Sequence, residues 1–206
     1  MYRRFAVYHC PEGVLGGFGS QWLASGTELV ARPAKYGFHA TLKAPFALAE
    51  GQSEGALAGA VKALAAGLQP VETELELARL GSFFALVPKT GAEALGALAG
   101  ACMLELEQFR APLAEDVLAT KLAQAKSAQQ RENLHRWGYA YVLDDFRFHL
   151  TLTGPVPKAA REDVEASLRA ALPDLSKAYK LDTICLCGED PAGQFHIIQR
   201  FGLGGA

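Results

Sequence analysis

YGFHATLKAPF (36–46) and FRFHLTLTGPV (146–156) agree at five of eleven positions, and their histidines, His39 and His149, stand 110 residues apart in a chain of 206. The shared residues are Phe, His, Thr, Leu and Pro, in the same order and at the same spacing. Both segments read as strands, in which successive side chains alternate between two faces. Phe38, Ala40 and Leu42 then make an apolar face, with His39, Thr41 and Lys43 on the other. In the second copy Phe148, Leu150 and Leu152 are apolar, leaving Arg147, His149, Thr151 and Thr153 together. A single His-x-Thr reads as a satisfied histidine closing a strand. Two copies in the same apolar frame read as two halves of one site.

Outward from these segments, residues 3–10 alternate as a strand with Phe5 and Val7 toward a core, and 13–24 read as a helix. The run LGGFGS inside that helix fails as a dinucleotide loop, because Trp22 stands where the third glycine belongs. The first motif strand spans 36–43 and stops at Pro45, which cannot donate to a ladder. A helix at 53–68, a hairpin of 71–80 with 83–88, and helices at 91–109 and 114–135 follow. The second motif strand is expected over 139–152, interrupted near Asp144 and Asp145. A helix at 158–172 and a hairpin of 179–187 with 194–201 close the chain, ahead of a loose GLGGA tail. The second part echoes the end of the first, so the expectation is a single bilobal domain over 1–206, with motif strands near 36–43 and 146–153.

Half of the residues are hydrophobic, and 20 basic against 22 acidic side chains give a formal charge of −2. That balance advertises no polyanionic partner, so a small phosphorylated substrate fits better than nucleic acid, and a monomer is expected. The short apolar stretch after Arg4 meets His9, Pro11 and Glu12, so it reads as neither signal peptide nor membrane span. A cytoplasmic protein is expected, with Cys10, Cys102, Cys185 and Cys187 as thiols in the core.

If the two polar stripes face one another, two imidazoles flank a bound group and two threonine hydroxyls lie beside them. Near neutral pH one imidazole can take a proton from an attacking water while the other gives one to a leaving oxygen. The hydroxyls can donate to non-bridging phosphate oxygens. No metal or cofactor is needed, and two histidines without a convergent carboxylate fall short of a zinc site. The paired motifs resemble the two-histidine (2H) phosphoesterases. With FRAPL (109–113) and WGYAYV (137–142), they are similar to a bacterial branch of phosphonate-metabolism proteins associated with carbon–phosphorus lyase pathways. The resemblance implies an α+β, RNA-ligase/cyclic-phosphodiesterase-like fold: two antiparallel sheets with outer helices and a central groove. It implies a phosphoric diester hydrolase with His39, Thr41, His149 and Thr151 as its catalytic residues. Relatives act on cyclic phosphodiesters or 2′–5′ linkages, and a phosphonate pathway would suggest a ribose-derived cyclic phosphate. An RNA-end enzyme and a non-catalytic phosphometabolite-binding module are the competing classes.

Tyr36, Lys43 and Arg147 are candidate substrate contacts, the last two for a second phosphate, because they stand at or near the motif faces. Trp137, Tyr139 and Tyr141 are candidates to stack on a base or sugar, with ordinary packing as the commoner role. Asp144 and Asp145 read as a turn, with orientation of Arg147 as the alternative role. His9, His135 and His196 lack the following Thr and read as surface or capping histidines.

Overall fold

In a computed structural model that describes residues 2–205, the strand and helix periodicities resolve into nine strands and seven α-helices. The first half runs β1 (Arg4–His9), α1 (Gly13–Leu23), α2 (Ala31–Ala34), β2 (Ala40–Phe46), α3 (Glu54–Gly67), β3 (Val71–Thr73), β4 (Leu75–Leu80) and β5 (Phe83–Pro88). The second half runs α4 (Ala92–Glu105), α5 (Glu115–Gln124), α6 (Ala128–Trp137), β6 (Leu150–Thr151), α7 (Arg161–Ala171), β7 (Tyr179–Leu181), β8 (Thr183–Glu189) and β9 (Phe195–Gly202). Local chemistry sets several ends. Ser53 and Ser127 cap α3 and α6 by accepting from the amides of Ala56 and Gln130 at 3.1 and 3.0 Å. Gly138 closes α6 at φ +68°, where a side chain would be strained.

The strands make two antiparallel sheets, ordered β2-β1-β8-β9 and β4-β5-β6. A short β3–β7 ribbon joins them, since β3 runs through Glu74 into β4 and β7 runs through Asp182 into β8. Both motif strands, β2 and β6, are sheet edges. That position tolerates Pro45 inside β2, because an edge strand has amides with no ladder partner to lose.

The apolar alternation holds in both copies: Phe38, Ala40 and Leu42 are buried, as are Phe148, Leu150 and Leu152, whereas His39, Thr41, His149 and Thr151 are half-buried. The buried faces join one cluster with Phe5, Val7, Ile184 and Leu186, backed by α3 and α4. Tyr8, Ala6, Cys10, Cys185 and Cys187 form a second, smaller cluster on the opposite face of the four-stranded sheet. All four cysteines are free and buried.

Helix α1 braces both motifs. A Cβ on Gly19 would overlap the Phe38 ring, so the glycine lets the helix sit directly on the residue before His39. Trp22 Nε1 donates to the Leu152 carbonyl at 2.9 Å, tying the same helix to the second copy. The glycines of LGGFGS therefore serve close packing.

Four expectations are corrected. Residues 36–39 precede the first motif strand, which starts at Ala40 and continues through Pro45. The strand expected over 139–152 shortens to Leu150–Thr151, behind a 3-10 turn at Leu143–Asp145 with Leu143 at φ +52°. The single helix expected over 114–135 is the pair α5 and α6, broken before the Ser127 cap. The tail is not loose through Gly205: Leu203–Gly205 forms a turn, and Leu203 is buried with its amide on the Asp182 carbonyl; Ala206 lies outside the described residues.

Candidate active site

Gly37, at φ +72°, turns its carbonyl back beneath the first motif, and His39 Nδ1 lies 2.9 Å from it. A carbonyl only accepts, so Nδ1 carries the proton and donates, and Nε2 is left as the free basic nitrogen. Thr41 Oγ1 lies 3.3 Å from that Nε2. The imidazole lies stacked on the Tyr8 ring, with centroids 3.9 Å apart. Burial against this ring removes hydration from the charged form and lowers the His39 pKa to about 4.

The second motif repeats the backbone device. His149 Nδ1 donates to the carbonyl of Arg147, also two residues upstream, at 2.7 Å, so its Nε2 is again the outward nitrogen. The neighbouring ring differs: Phe83 meets His149 at a tilt, with centroids 5.8 Å apart. Thr151 pairs with Ala85 of β5, which fixes it on the sheet edge. The charge of His149 also presses the His39 pKa down, so the two imidazoles lie within electrostatic reach of one another. Two histidines on two sheet edges, each with a fixed tautomer and an available Nε2, can exchange protons with one small group between them. Among the described residues, no three His, Cys, Asp or Glu side chains converge.

Tyr36 is half-buried, tilted against His39 at 6.0 Å and stacked on Phe195 at 5.3 Å, so it borders the site. Arg147 is exposed, and its Nη1 donates to the Asp144 and Phe146 carbonyls, not to an Asp carboxylate. The turn reading of Asp144 and Asp145 is the observed one.

Lys43 is a correction. The register runs Tyr8↔Thr41 but Val7↔Lys43, so Leu42 is an extra residue and the face parity flips beyond it. Lys43 is 4% exposed and donates to Glu107 Oε2 at 2.8 Å and to the Met103 carbonyl at 3.1 Å. Glu107 also holds Arg110 of FRAPL, whose Nη2 donates to the Arg136 carbonyl beside WGYAYV. These residues build a structural junction, and Lys43 is closed to ligand. Thr153 is likewise structural, accepting from the Phe84 amide at 3.0 Å and donating to the Gly154 carbonyl at 2.8 Å.

His9 is a second correction. It is buried, donates from Nδ1 to the Thr183 carbonyl at 2.8 Å and accepts at Nε2 from the Tyr179 hydroxyl. Desolvation lowers its pKa to about 4. The sequence reading missed Tyr8, on which His39 stacks. It carried a usable signal, since it stands on the strand face opposite Phe5 and Val7.

A family model described as "Protein of unknown function (DUF1045)" matches residues 41–196, and the chain belongs to that family. The ribose 1,5-bisphosphate phosphokinase PhnN of Laribacter hongkongensis is 41% identical over 134 residues, which are 65% of this chain and 31% of that protein. Its namesake from Janthinobacterium sp. is 33% identical over 186 residues, 87% of this chain and 41% of that protein. The chain thus spans about a third to two fifths of the length of these curated relatives. Among solved structures, E. coli LigT complexed with NADP+ matches with a TM-score of 0.52 at 14% identity, covering 98% of each chain. TT0787 of Thermus thermophilus matches with 0.51 at 13%, again over 98% of each. The fold is LigT-like, with the two antiparallel sheets and outer helices that the resemblance implied.

Proposed function

We propose that this DUF1045 protein is a metal-independent phosphoesterase that opens a cyclic phosphodiester on a small phosphorylated sugar or nucleotide, within phosphonate catabolism. The observation that carries the reading is the repeated Nδ1–H bond to the carbonyl two residues upstream, which presents one free Nε2 from each sheet edge. His39, with its pKa lowered to about 4, is neutral at neutral pH and suits the base. Water attacks phosphorus and passes a proton to His39 Nε2, the phosphorus–oxygen ester bond breaks, and the leaving oxygen takes the Nε2 proton of His149, which enters the step as the imidazolium and leaves it neutral with Nδ1–H still on the Arg147 carbonyl. An approaching phosphate anion favours the protonated form of His39, strengthening the base as the substrate binds. Thr41 and Thr151 donate to the non-bridging oxygens.

The choice of substrate rests on the relatives. LigT is described in complexes with phosphate and with 3′-AMP, which favours a phosphate-binding groove and keeps a nucleotide substrate, including a 2′–5′ or RNA-end linkage, as the second reading. The curated relatives are named for a kinase of ribose 1,5-bisphosphate, yet this chain contains no phosphate loop of the form G-x-x-x-x-G-K-S/T. We assign the kinase chemistry to the part of those proteins outside the match, and to this chain a companion step on a phosphoribose. The test is turnover by chelator-treated protein of ribose 1,2-cyclic phosphates beside nucleoside 2′,3′-cyclic phosphates and 2′–5′ dinucleotides. Turnover of the ribose compounds with equal rates before and after chelation is the expected result. Activity restored only by an added metal ion would overturn the mechanism, and preference for the dinucleotides would overturn the substrate.

A further inference from the structure

The two copies place the acceptors of their Nδ1 protons by unlike means. In the first, Gly37 adopts φ +72° without strain, and its own carbonyl accepts from His39. In the second, the left-handed residue is Leu143, at φ +52° and four residues upstream of the Arg147 carbonyl, and a Cβ disfavours that conformation. β6 begins only at Leu150, so no ladder among the described residues holds that carbonyl. A strained turn in such a place persists only where its surroundings hold it.

Asn133 holds it from α6. This residue is 3% exposed, and its Nδ2 donates to the Ala140 carbonyl at 3.0 Å and to Asp145 Oδ2 at 3.2 Å, one partner on each side of Leu143. Gln129 Nε2 donates to Asn133 Oδ1 at 3.1 Å, which fixes the amide with Nδ2 toward the two acceptors. Within the turn, the amides of Asp145 and Phe146 reach back to the carbonyls of Val142 and Leu143. Arg147 then hooks its Nη1 on the Asp144 and Phe146 carbonyls, so the backbone that carries the His149 acceptor is laced to the turn. The helix under Asn133 is anchored in its turn: Arg110 donates to the Arg136 carbonyl at 3.1 Å while paired with Glu107, and Glu107 also holds Lys43 of β2. A continuous set of hydrogen bonds thereby runs from the first motif strand, through FRAPL and α6, to the turn ahead of the second histidine.

We propose that Asn133 is a positioning residue for His149: by gripping both sides of the Leu143 turn it holds the Arg147 carbonyl where that carbonyl accepts from Nδ1 and aims Nε2 into the site. The catalytic consequence rests on the phosphoesterase reading, whereas the effect on the ring does not. A buried amide that served only the stability of α6 would not decide which nitrogen of the His149 imidazole carries the proton.

Nitrogen-15 NMR of the histidine rings reads that tautomer with no substrate present, the His149 signals being identified by their loss in His149→Ala. Above the ordinary histidine pKa, wild-type His149 is expected as the Nδ1–H form. Asn133→Ala should mix in the Nε2–H form, as should Asp145→Ala, the milder cut that spares the buried amide. Kinetics on ribose 1,2-cyclic phosphate or a nucleoside 2′,3′-cyclic phosphate, whichever the wild type hydrolyses, should show kcat lower by about tenfold to a hundredfold in Asn133→Ala, with KM within about threefold, the pattern of a misaimed group. Adding Leu143→Gly to that variant supplies a residue that takes φ +52° freely, and because Leu143 is exposed the change removes little packing. It should bring back most of the Nδ1–H form and about tenfold of the lost rate, the scale of the penalty it removes, which a merely structural defect in α6 would not allow. Retention of the pure Nδ1–H form in both Asn133→Ala and Asp145→Ala, or no recovery with Leu143→Gly, overturns the proposal. A tautomer that shifts as expected in a protein that hydrolyses no cyclic phosphate would sink the phosphoesterase reading and leave the clamp standing.

Discussion

His39 lies flat on Tyr8 at 3.9 Å, at the start of a seven-residue strand in a four-stranded sheet; His149 meets Phe83 at a tilt and 5.8 Å, ahead of a two-residue strand in a three-stranded one. The backbone reaches them differently as well, through a left-handed glycine at Gly37 and through Leu143 at φ +52°, a conformation that costs a leucine about 1 kcal/mol or more. What survives both settings is the Nδ1–H bond to the carbonyl two residues back. The repeated sequence therefore preserves the tautomer, and the unrepeated surroundings are free to give the two imidazoles different proton affinities. An acid/base pair needs both properties, and a pair of merely structural histidines needs neither.

The hardest test of that contrast is to remove each imidazole in turn. His39→Ala and His149→Ala should each lower turnover by roughly 10²–10⁴-fold with the fold retained, the range for losing a general acid or base. Thr41→Val and Thr151→Val should lose less, about 1.5–3 kcal/mol of contact to a charged oxygen. The pH–rate profiles should part company: the acid limb of kcat/KM, set low by His39 in the wild type, should disappear in His39→Ala and persist in His149→Ala. Wild-type turnover in both alanine variants would make the repeat structural.

Acid should also weaken the fold, through histidines buried in the neutral form. His9 and His39 have folded pKa values of about 4 against an ordinary 6.5, so between these values the unfolded chain binds more protons than the folded one. Stability is then fully present above pH 6.5 and falls as pH drops toward 4. For the fully buried His9 the loss is about 3 kcal/mol. Urea unfolding at pH 7 and pH 4.5 checks it, and His9→Gln should flatten the difference. An equal slope in that variant would mean that His9 is not the group responsible.

Much of this arrangement was legible in the chain. The burial of Phe38, Ala40 and Leu42 against half-buried His39 and Thr41 follows directly from alternation, as does the same pattern around His149. Alternation then failed at Lys43 for a definite reason: one extra residue in β2 reverses the faces, and nothing in the composition of TLK announces a bulge. The second strand failed differently, because the aromatic run 137–142 has strand-like residues but is held by the end of α6, where Asn133 donates to the Ala140 carbonyl at 3.0 Å, instead of a ladder.

Helix α1 touches both motifs, so substitutions on it compare them at closer range. Gly19→Ala puts a methyl group into the Phe38 ring and should cost about 1–3 kcal/mol by overpacking, several degrees in Tm, while displacing His39. Turnover should fall with it, and a lowered KM with unchanged kcat would argue that Phe38 does not position the imidazole.

The smallest effect belongs to the other end of the same helix. Trp22→Phe keeps an aromatic ring beside Phe18 but removes the Nε1–H bond to the Leu152 carbonyl, the residue after Thr151. A net hydrogen bond is worth roughly 0.5–1.5 kcal/mol, which for a chain of this size is about 2–5 °C in Tm. The Leu152 amide stays bonded to the Phe84 carbonyl at 2.9 Å, and Thr153 still accepts from the Phe84 amide, so the second motif keeps its own sheet contacts when the clamp is lost. The first motif has no such reserve against Gly19→Ala, because the intruding methyl lands on the ring that precedes His39. Turnover should therefore fall further in Gly19→Ala than in Trp22→Phe when both are measured well below their Tm values. The reverse order would mean that α1 holds the second histidine in place more firmly than the first.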